Sequence, residues 1–343
     1  MAFINTIHPL EAPYAYSQKE MVEWILSEFD EESKRKFTWL LTHAGIEKRQ
    51  SVLPDFSERN GVPLLYRRRN VGIEERMHLF EEVGVDWLEQ HAASFWHKSK
   101  VEKKEISHLI TVSCTGLSAP GLDFKMQQIL GLGADICRLS VNFMGCYAAF
   151  HALKMANWIC AAEPLAKVLI VDIELCALHY QSGEALDQVL ANGLFADGAA
   201  FVLVSNEPKG FEMKQFFQST AAQSAQEMAW ELSPEAFKMK LSTYVPKVIE
   251  SGIEAFVREN IKDEIDHYAV HPGGLKILEA FEQALALKKG SIDESYSVLR
   301  AYGNMSSVSI FYVLEQIAKT KTGRICATAF GPGLTFEGAY FQL

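Results

Sequence analysis

Two stretches of this chain are almost continuously apolar: HLITVSC at 108–114 and KVLIVDI at 167–173. Runs of that length and β-branched content predict strands buried on both faces of a sheet. Between them, 147–162 (YAAFHALKMANWICAA) reads as a helix, and GAAFVLVS at 198–205 adds another strand. Near the N-terminus, Ser17-Gln18-Lys19-Glu20 is a capping box, and Met21, Val22, Trp24, Ile25 and Leu26 follow it, so a helix starts there. The pattern breaks at Asn206-Glu207-Pro208-Lys209-Gly210 and then resumes. A helical stretch is predicted near 234–260, a short strand near 267–271, a helix from Gly274 to Leu285, and a strand near 295–301. A helix from Asn304 to Lys319 and two strands, 324–330 and 335–342, complete the order. Strand and helix alternating on both sides of one seam predicts an α/β protein of two similar halves, residues 1–206 and 207–343. The halves share no visible sequence identity, so the duplication rests on element order.

Composition narrows the class. With 343 residues, 48% hydrophobic and 22% charged, the chain can bury a large core. A formal charge of −10 argues against a general nucleic-acid binder, which would carry a basic stripe. No apolar run approaches the roughly 18 residues of a membrane span. Met1-Ala2-Phe3-Ile4-Asn5 lacks the start of a signal peptide, so a cytoplasmic location is the expectation. The six cysteines show no CxxC spacing, which argues against zinc, and they are expected as free thiols in a reducing compartment.

Three residues stand apart. Cys146 ends Asn142-Phe143-Met144-Gly145-Cys146, directly before the alanine-rich helix, where the helix dipole and free N–H groups are expected to lower a thiol's pKa. His271 opens His271-Pro272-Gly273-Gly274 at a strand end, with side chains removed beside the imidazole so that a substrate arm can approach the backbone. A thiolate–imidazolium pair with Cys146 is one expectation, and an imidazole N–H holding an enolate is another. Asn304 lies in Tyr302-Gly303-Asn304-Met305-Ser306-Ser307; it suits a helix N-cap and equally an uncharged oxyanion donor. A thiol, an imidazole and a carboxamide can together run thioester chemistry. They also make up a papain-like site, but the local signature of that cysteine is missing, as is the G-x-S-x-G elbow of serine hydrolases.

With these motifs in order, the chain resembles the type III polyketide synthases, the chalcone-synthase-like branch of the thiolase-fold condensing enzymes. Gly145-Cys146, Leu194-Phe195-Ala196-Asp197-Gly198-Ala199, His271-Pro272-Gly273-Gly274, Gly303-Asn304-Met305-Ser306-Ser307 and Phe330-Gly331-Pro332-Gly333-Leu334-Thr335 carry the likeness over nearly the whole chain. The resemblance implies a five-layered α-β-α-β-α thiolase-like fold and a homodimer. It implies that Cys146 takes an acyl starter from CoA, while His271 and Asn304 hold malonyl-CoA as CO2 leaves. The enolate then attacks the acyl group, and repetition and cyclisation give a pyrone, resorcinol or phloroglucinol-type product without metal or redox cofactor. Phe195 matches a gatekeeper phenylalanine, and Met239 stands where the plant enzymes carry a second one. His179 takes the place of a pocket threonine, and Ala119 that of a methionine reaching across the dimer. Lys36 is kept from a basic CoA-phosphate patch in which Trp39 and His43 replace two cations. An acyl carrier protein is therefore a second donor to weigh, and Gly273 and Gly274 border the substrate arm.

Two alternatives remain open on the sequence: a β-ketoacyl carrier-protein synthase III performing one condensation, and a non-catalytic condensing-fold partner subunit. The His-Pro-Gly-Gly and Gly-Asn-Met-Ser-Ser forms weigh against the first, and the intact Cys146, His271 and Asn304 against the second.

Overall fold

A computed structural model describes residues 1–27, 29–66, 71–221 and 227–343. Among them, nine strands hydrogen-bond in the spatial order His267–Val270, Arg324–Gly331, Thr335–Gln342, Phe211–Thr220, Phe3–Leu10, Asp197–Ser205, Lys167–Leu175, His108–Ser113 and Cys137–Asn142. Every residue of Asp197–Ser205 is buried, and all but Lys167 of Lys167–Leu175. That is why these strands read as unbroken apolar runs: neither face meets water.

The sheet has a weak joint. Phe3–Leu10 pairs with Phe211–Thr220 through only Phe3↔Glu212 and Ile4↔Phe211, whereas its register with Asp197–Ser205 extends from Phe3↔Ser205 to Leu10↔Ala199. The joint falls just after the Asn206–Gly210 break. On either side of it the sheet turns one face to a common core. There the helices Ala148–Ala162 and Ser309–Thr320 contribute Ala148, Ala152, Phe311 and Leu314, against Ile110, Val168 and Val202 of one half and Ala327 and Phe341 of the other. Small side chains at Ala148, Ala149, Ala152 and Ala156 let the first of these helices lie close to its neighbours. The outer faces pack separately. Leu109, Leu169 and Phe201 meet Trp87, Leu88 and Phe95 of helix Val85–Ser99. Val270, Cys326 and Phe330 meet Ile249, Ile253, Leu278 and Phe281 of helices Val245–Asn260 and Leu275–Ala284. Helix, sheet, helix, sheet, helix makes the five layers.

Two elements differ from the sequence pattern. Residues 295–301 are not a strand but part of the helix Asp293–Tyr302. The β-like mixture of Tyr296, Val298 and Leu299 misleads. Burial of Ser295, Val298 and Leu299 at helical spacing, with acidic Asp293 and Glu294 in the first turn and Arg300 in the last, sets the helix. Residues 234–244 are not helical either. Met228–Leu232 and Phe237–Leu241 form an antiparallel hairpin in which Met239 pairs with Trp230, and the helix begins only at Val245 with Pro246 in its first turn. The other predicted elements appear within a few residues of their expected bounds. Among the described residues no helix is long and apolar enough to cross a membrane.

Candidate active site

Cys146 stands two residues ahead of helix Ala148–Ala162, next to its N-cap Tyr147, at 5% exposure. Gly145 before it has φ +80°, and a Cβ there would lie 2.0 Å from Pro332 Cδ, so the backbone can pass Pro332 only as glycine. The Gly145 N–H donates to the Cys114 thiol at 2.9 Å. The loop after Arg324–Gly331 closes over the cysteine from the other half; a Cβ on Gly331 would come within 3.3 Å of the Cys146 nitrogen.

His271 follows strand His267–Val270, and its N–H donates to Thr328 O at 2.8 Å. The side chain is 1% exposed, and among the described residues neither ring nitrogen has a hydrogen-bond partner. Asn304, 2% exposed, is fixed on all sides. Its backbone bridges the Phe195 segment: Asn304 N–H donates to Leu194 O (3.0 Å), and Ala196 N–H donates to Asn304 O (2.8 Å). Its carboxamide Nδ2 donates to Gly273 O at 3.1 Å, and its Oδ1 accepts from Ser306 N–H at 2.9 Å. The N-cap role expected of Asn304 is not found: Met305 caps the short turn Ser306–Val308 and Val308 caps helix Ser309–Thr320, neither through its side chain, and Asn304 makes only the local contact to Ser306 N–H. The Ser306 hydroxyl lies close enough to Cys146 to lower the pKa of its thiol. The three residues, 125 and 33 positions apart along the chain (271 − 146 and 304 − 271), are therefore joined by contact: His271 through Gly273 to Asn304, and Asn304 through Ser306 to Cys146.

The electrostatics correct one expectation. Burial pushes the Cys146 thiol up to about 12, outweighing the Ser306 hydroxyl, with the Glu174 charge adding to the rise. Burial likewise takes the His271 imidazole down to about 3. The lowered thiol pKa read from the helix N-terminus is not found, because desolvation exceeds what a helix end supplies. Both groups rest neutral, and no thiolate–imidazolium pair is favoured before substrate enters.

Sequence reasoning overlooked the support beneath these groups. Glu174, fully buried, accepts from Cys114 N–H, Thr115 Oγ–H, Ser306 Oγ–H and Ser307 Oγ–H. Asp172 Oδ1 also lies 2.8 Å from Ser307 Oγ; the hydroxyl has one proton, so it donates to one of the two carboxyls and accepts from the other when that one is protonated. Burial raises both carboxyls above the usual range, and the Glu174 charge raises Asp172 further. The signal lay in KVLIVDIEL: two acids inside a buried strand need partners.

A cavity of about 520 Å³ opens on the far side of Phe195. Phe195, His179 and Met239 line it, with Trp230, Phe237 and Arg49, which the sequence did not single out. Cys146, His271 and Asn304 do not line it; the backbone pairing of Phe195 with Asn304 is the junction. His179 stacks on Phe237 at 4.4 Å. Its Nε2–H donates to Thr115 O (2.8 Å) and its Nδ1 accepts from Phe237 N–H (3.2 Å), so this imidazole shapes the wall with both nitrogens engaged. Ala119 and Lys36 are exposed and lie outside the cavity, Ala119 on the loop before helix Leu122–Ile129 and Lys36 on helix Glu31–Thr42. On that helix Trp39 and His43 stack at 4.7 Å. Gly273 and Gly274 are buried beside His271. Among the described residues no group of three or more His, Cys, Asp or Glu is placed to hold a metal.

Comparison with known proteins gives a consistent picture. Residues 12–208 match the family model described as chalcone and stilbene synthases, N-terminal domain, and residues 212–342 the corresponding C-terminal domain. The chain is 32% identical over 301 residues to "Alpha-pyrone synthesis polyketide synthase-like Pks18" of Mycobacterium tuberculosis, covering 81% of this chain and 76% of that protein. It is 28% identical over 347 residues to "Probable polyketide synthase 1" of Dictyostelium discoideum, covering 95% of this chain but 11% of that much longer protein. The chain thus spans about a tenth of the length of that relative. Among solved structures, the C-terminal type III polyketide synthase domain of Steely1, a type I/III hybrid from Dictyostelium, superimposes with a TM-score of 0.92 at 28% identity and covers 99% of each chain. A bacterial tetrahydroxynaphthalene synthase from Streptomyces coelicolor shares the fold with a TM-score of 0.90 at 23% identity.

Proposed function

This chain belongs to the chalcone and stilbene synthase family of type III polyketide synthases, and we propose that it condenses malonyl-CoA onto an acyl starter held on Cys146, repeatedly, before the product cyclises. The observation that carries the reading is His271: a fully buried imidazole with both nitrogens unpaired among the described residues, next to a glycine carbonyl that orients Asn304. A buried polar group left without a partner is costly, and a substrate oxygen supplies the missing one.

The resting protonation states fit a concerted start. As Cys146 sulfur attacks the starter thioester, its proton passes to a ring nitrogen of His271 and on to the departing CoA sulfur. In the extension step the bond between the malonyl α-carbon and its carboxylate breaks, and CO2 leaves. The electron pair moves into an enolate whose oxygen is held by the Asn304 Nδ2–H and the imidazole N–H. The enolate carbon then attacks the acyl carbonyl, and the bond to Cys146 breaks with its electron pair on sulfur; the sulfur takes up a proton, and the lengthened chain, now on CoA, reloads Cys146 for the next cycle. Phe195 walls this chemistry from the 520 Å³ cavity, where an acyl or growing chain has room beside Met239 and Trp230. Decarboxylation itself supplies the carbanion, so the proposal needs no redox cofactor.

The same reading includes a homodimer. The outermost strand Cys137–Asn142 is half exposed, and Leu117 and Phe124 beside the Ala119 loop are exposed apolar residues, which suits a second copy on that edge. CoA thioesters are the proposed donors; the Trp39–His43 stack replacing two cations favours testing an acyl carrier protein beside them. A cytoplasmic site of action goes with these substrates. Incubation with malonyl-CoA and a panel of acyl-CoA starters, read by mass spectrometry, tests the whole reading. Cyclised products of several extensions support it, whereas a linear β-ketoacyl thioester from one extension points to the synthase III alternative.

A further inference from the structure

Arg49 is among the most deeply buried charged side chains of the protein, at 2% exposure. Among the described residues no carboxylate pairs with it. Asp197, whose charge it feels, is occupied by Ser51 Oγ–H, Val52 N–H and Ala177 N–H. Nη1 of Arg49 instead donates to two backbone carbonyls, Asn192 O at 2.6 Å and Phe195 O at 3.0 Å, and among the described residues Nε and Nη2 have no partner. A cation held this way is costly to bury. Its stem is also placed with care: Gly303, at φ +77°, could not carry a Cβ without coming within 2.9 Å of Arg49 Cγ. One side chain therefore touches both partners of a single bridge. Its head holds the Phe195 carbonyl, and its stem packs on the residue before Asn304, while Phe195 and Asn304 are paired through Ala196 N–H and Leu194 O.

We infer that Arg49 is a positioning residue that clamps the Phe195–Asn304 bridge, so that the cavity wall and the carboxamide of the decarboxylation site keep one fixed relation. The inference rests on the proposed condensing reading and adds to it a residue that touches neither Cys146 nor His271. Arginine suits the task because one nitrogen of its planar head can serve two carbonyls while the long stem fills the space against Gly303. A lysine keeps the charge and can also donate from one nitrogen, but its flexible stem does not fix the directions of those hydrogens as the planar guanidinium does.

The test uses the full-length protein with Arg49→Met and Arg49→Lys, and Asn304→Ala as reference. Three readouts are taken: malonyl-CoA decarboxylation, acyl loading of Cys146 by intact mass, and hydrogen exchange of peptides containing Ala196 and Asn304. The expectation is a decarboxylation rate lowered about 10- to 100-fold at saturating malonyl-CoA in Arg49→Met, the scale of a small misplacement of a reacting group. Loading stays near wild type, exchange at the two amides quickens, and Arg49→Lys falls between. Decarboxylation and loading falling together in proportion to the folded fraction would make Arg49 a scaffold residue only and overturn the inference. Unchanged exchange at Ala196 and Asn304 would overturn it too. Should wild type itself not decarboxylate malonyl-CoA, the condensing reading fails, while the exchange measurement still judges the clamp.

Discussion

The resting protonation of Cys146 has a direct consequence for its reactivity. With the thiol near 12, the thiolate fraction at pH 7 is about 10⁻⁵, against a few per cent for an ordinary cysteine near 8.5. That fraction rises tenfold per pH unit and does not level off below about pH 11. Iodoacetamide labelling of the Cys146 peptide, followed by mass spectrometry between pH 6 and 10, should therefore give a log-linear profile of slope near one. The peptide must be resolved from that of Cys137, which is exposed. Ser306→Ala removes a hydroxyl whose nearness lowers the thiol pKa and should slow labelling at every pH. Glu174→Gln removes a nearby negative charge and should shift the profile the other way. A plateau below pH 8 would refute the reasoning, because it would mean that a thiolate–imidazolium pair already exists in the free protein.

Other consequences follow from the same contacts. His271 is held near 3 against about 6.5 unfolded; a depressed histidine stabilises the fold above pH 6.5, and that contribution is lost as pH falls towards 3. Urea unfolding should show His271→Gln losing roughly 3 kcal/mol less stability than wild type between pH 7.5 and 4.5, and equal losses would contradict the burial argument. Glu174→Gln keeps the shape but cannot accept all four donors that meet the carboxyl, so thermal unfolding should show a cost of about 1–3 kcal/mol. Phe195→Ala removes a bulky side chain from the wall of the 520 Å³ cavity, and product analysis should show longer or prematurely hydrolysed chains. An unchanged product spectrum would remove Phe195 from its proposed role.

The layers were legible because water decides them: strands such as Asp197–Ser205 lose solvent on both faces and can hold little but apolar residues. The residues proposed as catalytic stood out in the sequence because each sits where the backbone must turn beside a partner, as Gly145 does against Pro332. What escaped depends on distant neighbours. Phe237–Leu241 alternates on a two-residue period that a long helical stretch obscured, and the helix Asp293–Tyr302 depends on the burial of Ser295, Val298 and Leu299 against distant neighbours. The Cys146 thiol was misjudged for the same reason. A helix N-terminus is visible in sequence, but the depth of burial that overrides it is not. Arg49 gave no local signal at all, since its partners lie at Asn192, Phe195 and Gly303.

Separating the two halves of the chemistry tests the central claim most directly. Malonyl-CoA decarboxylation and acyl loading should be followed side by side in Cys146→Ala and Asn304→Ala. The account predicts that the first variant takes up no acyl group yet still releases CO2, and that the second is acylated but releases almost none. If Asn304→Ala decarboxylated at the wild-type rate, or Cys146→Ala still elongated starters, the three side chains would not form one site.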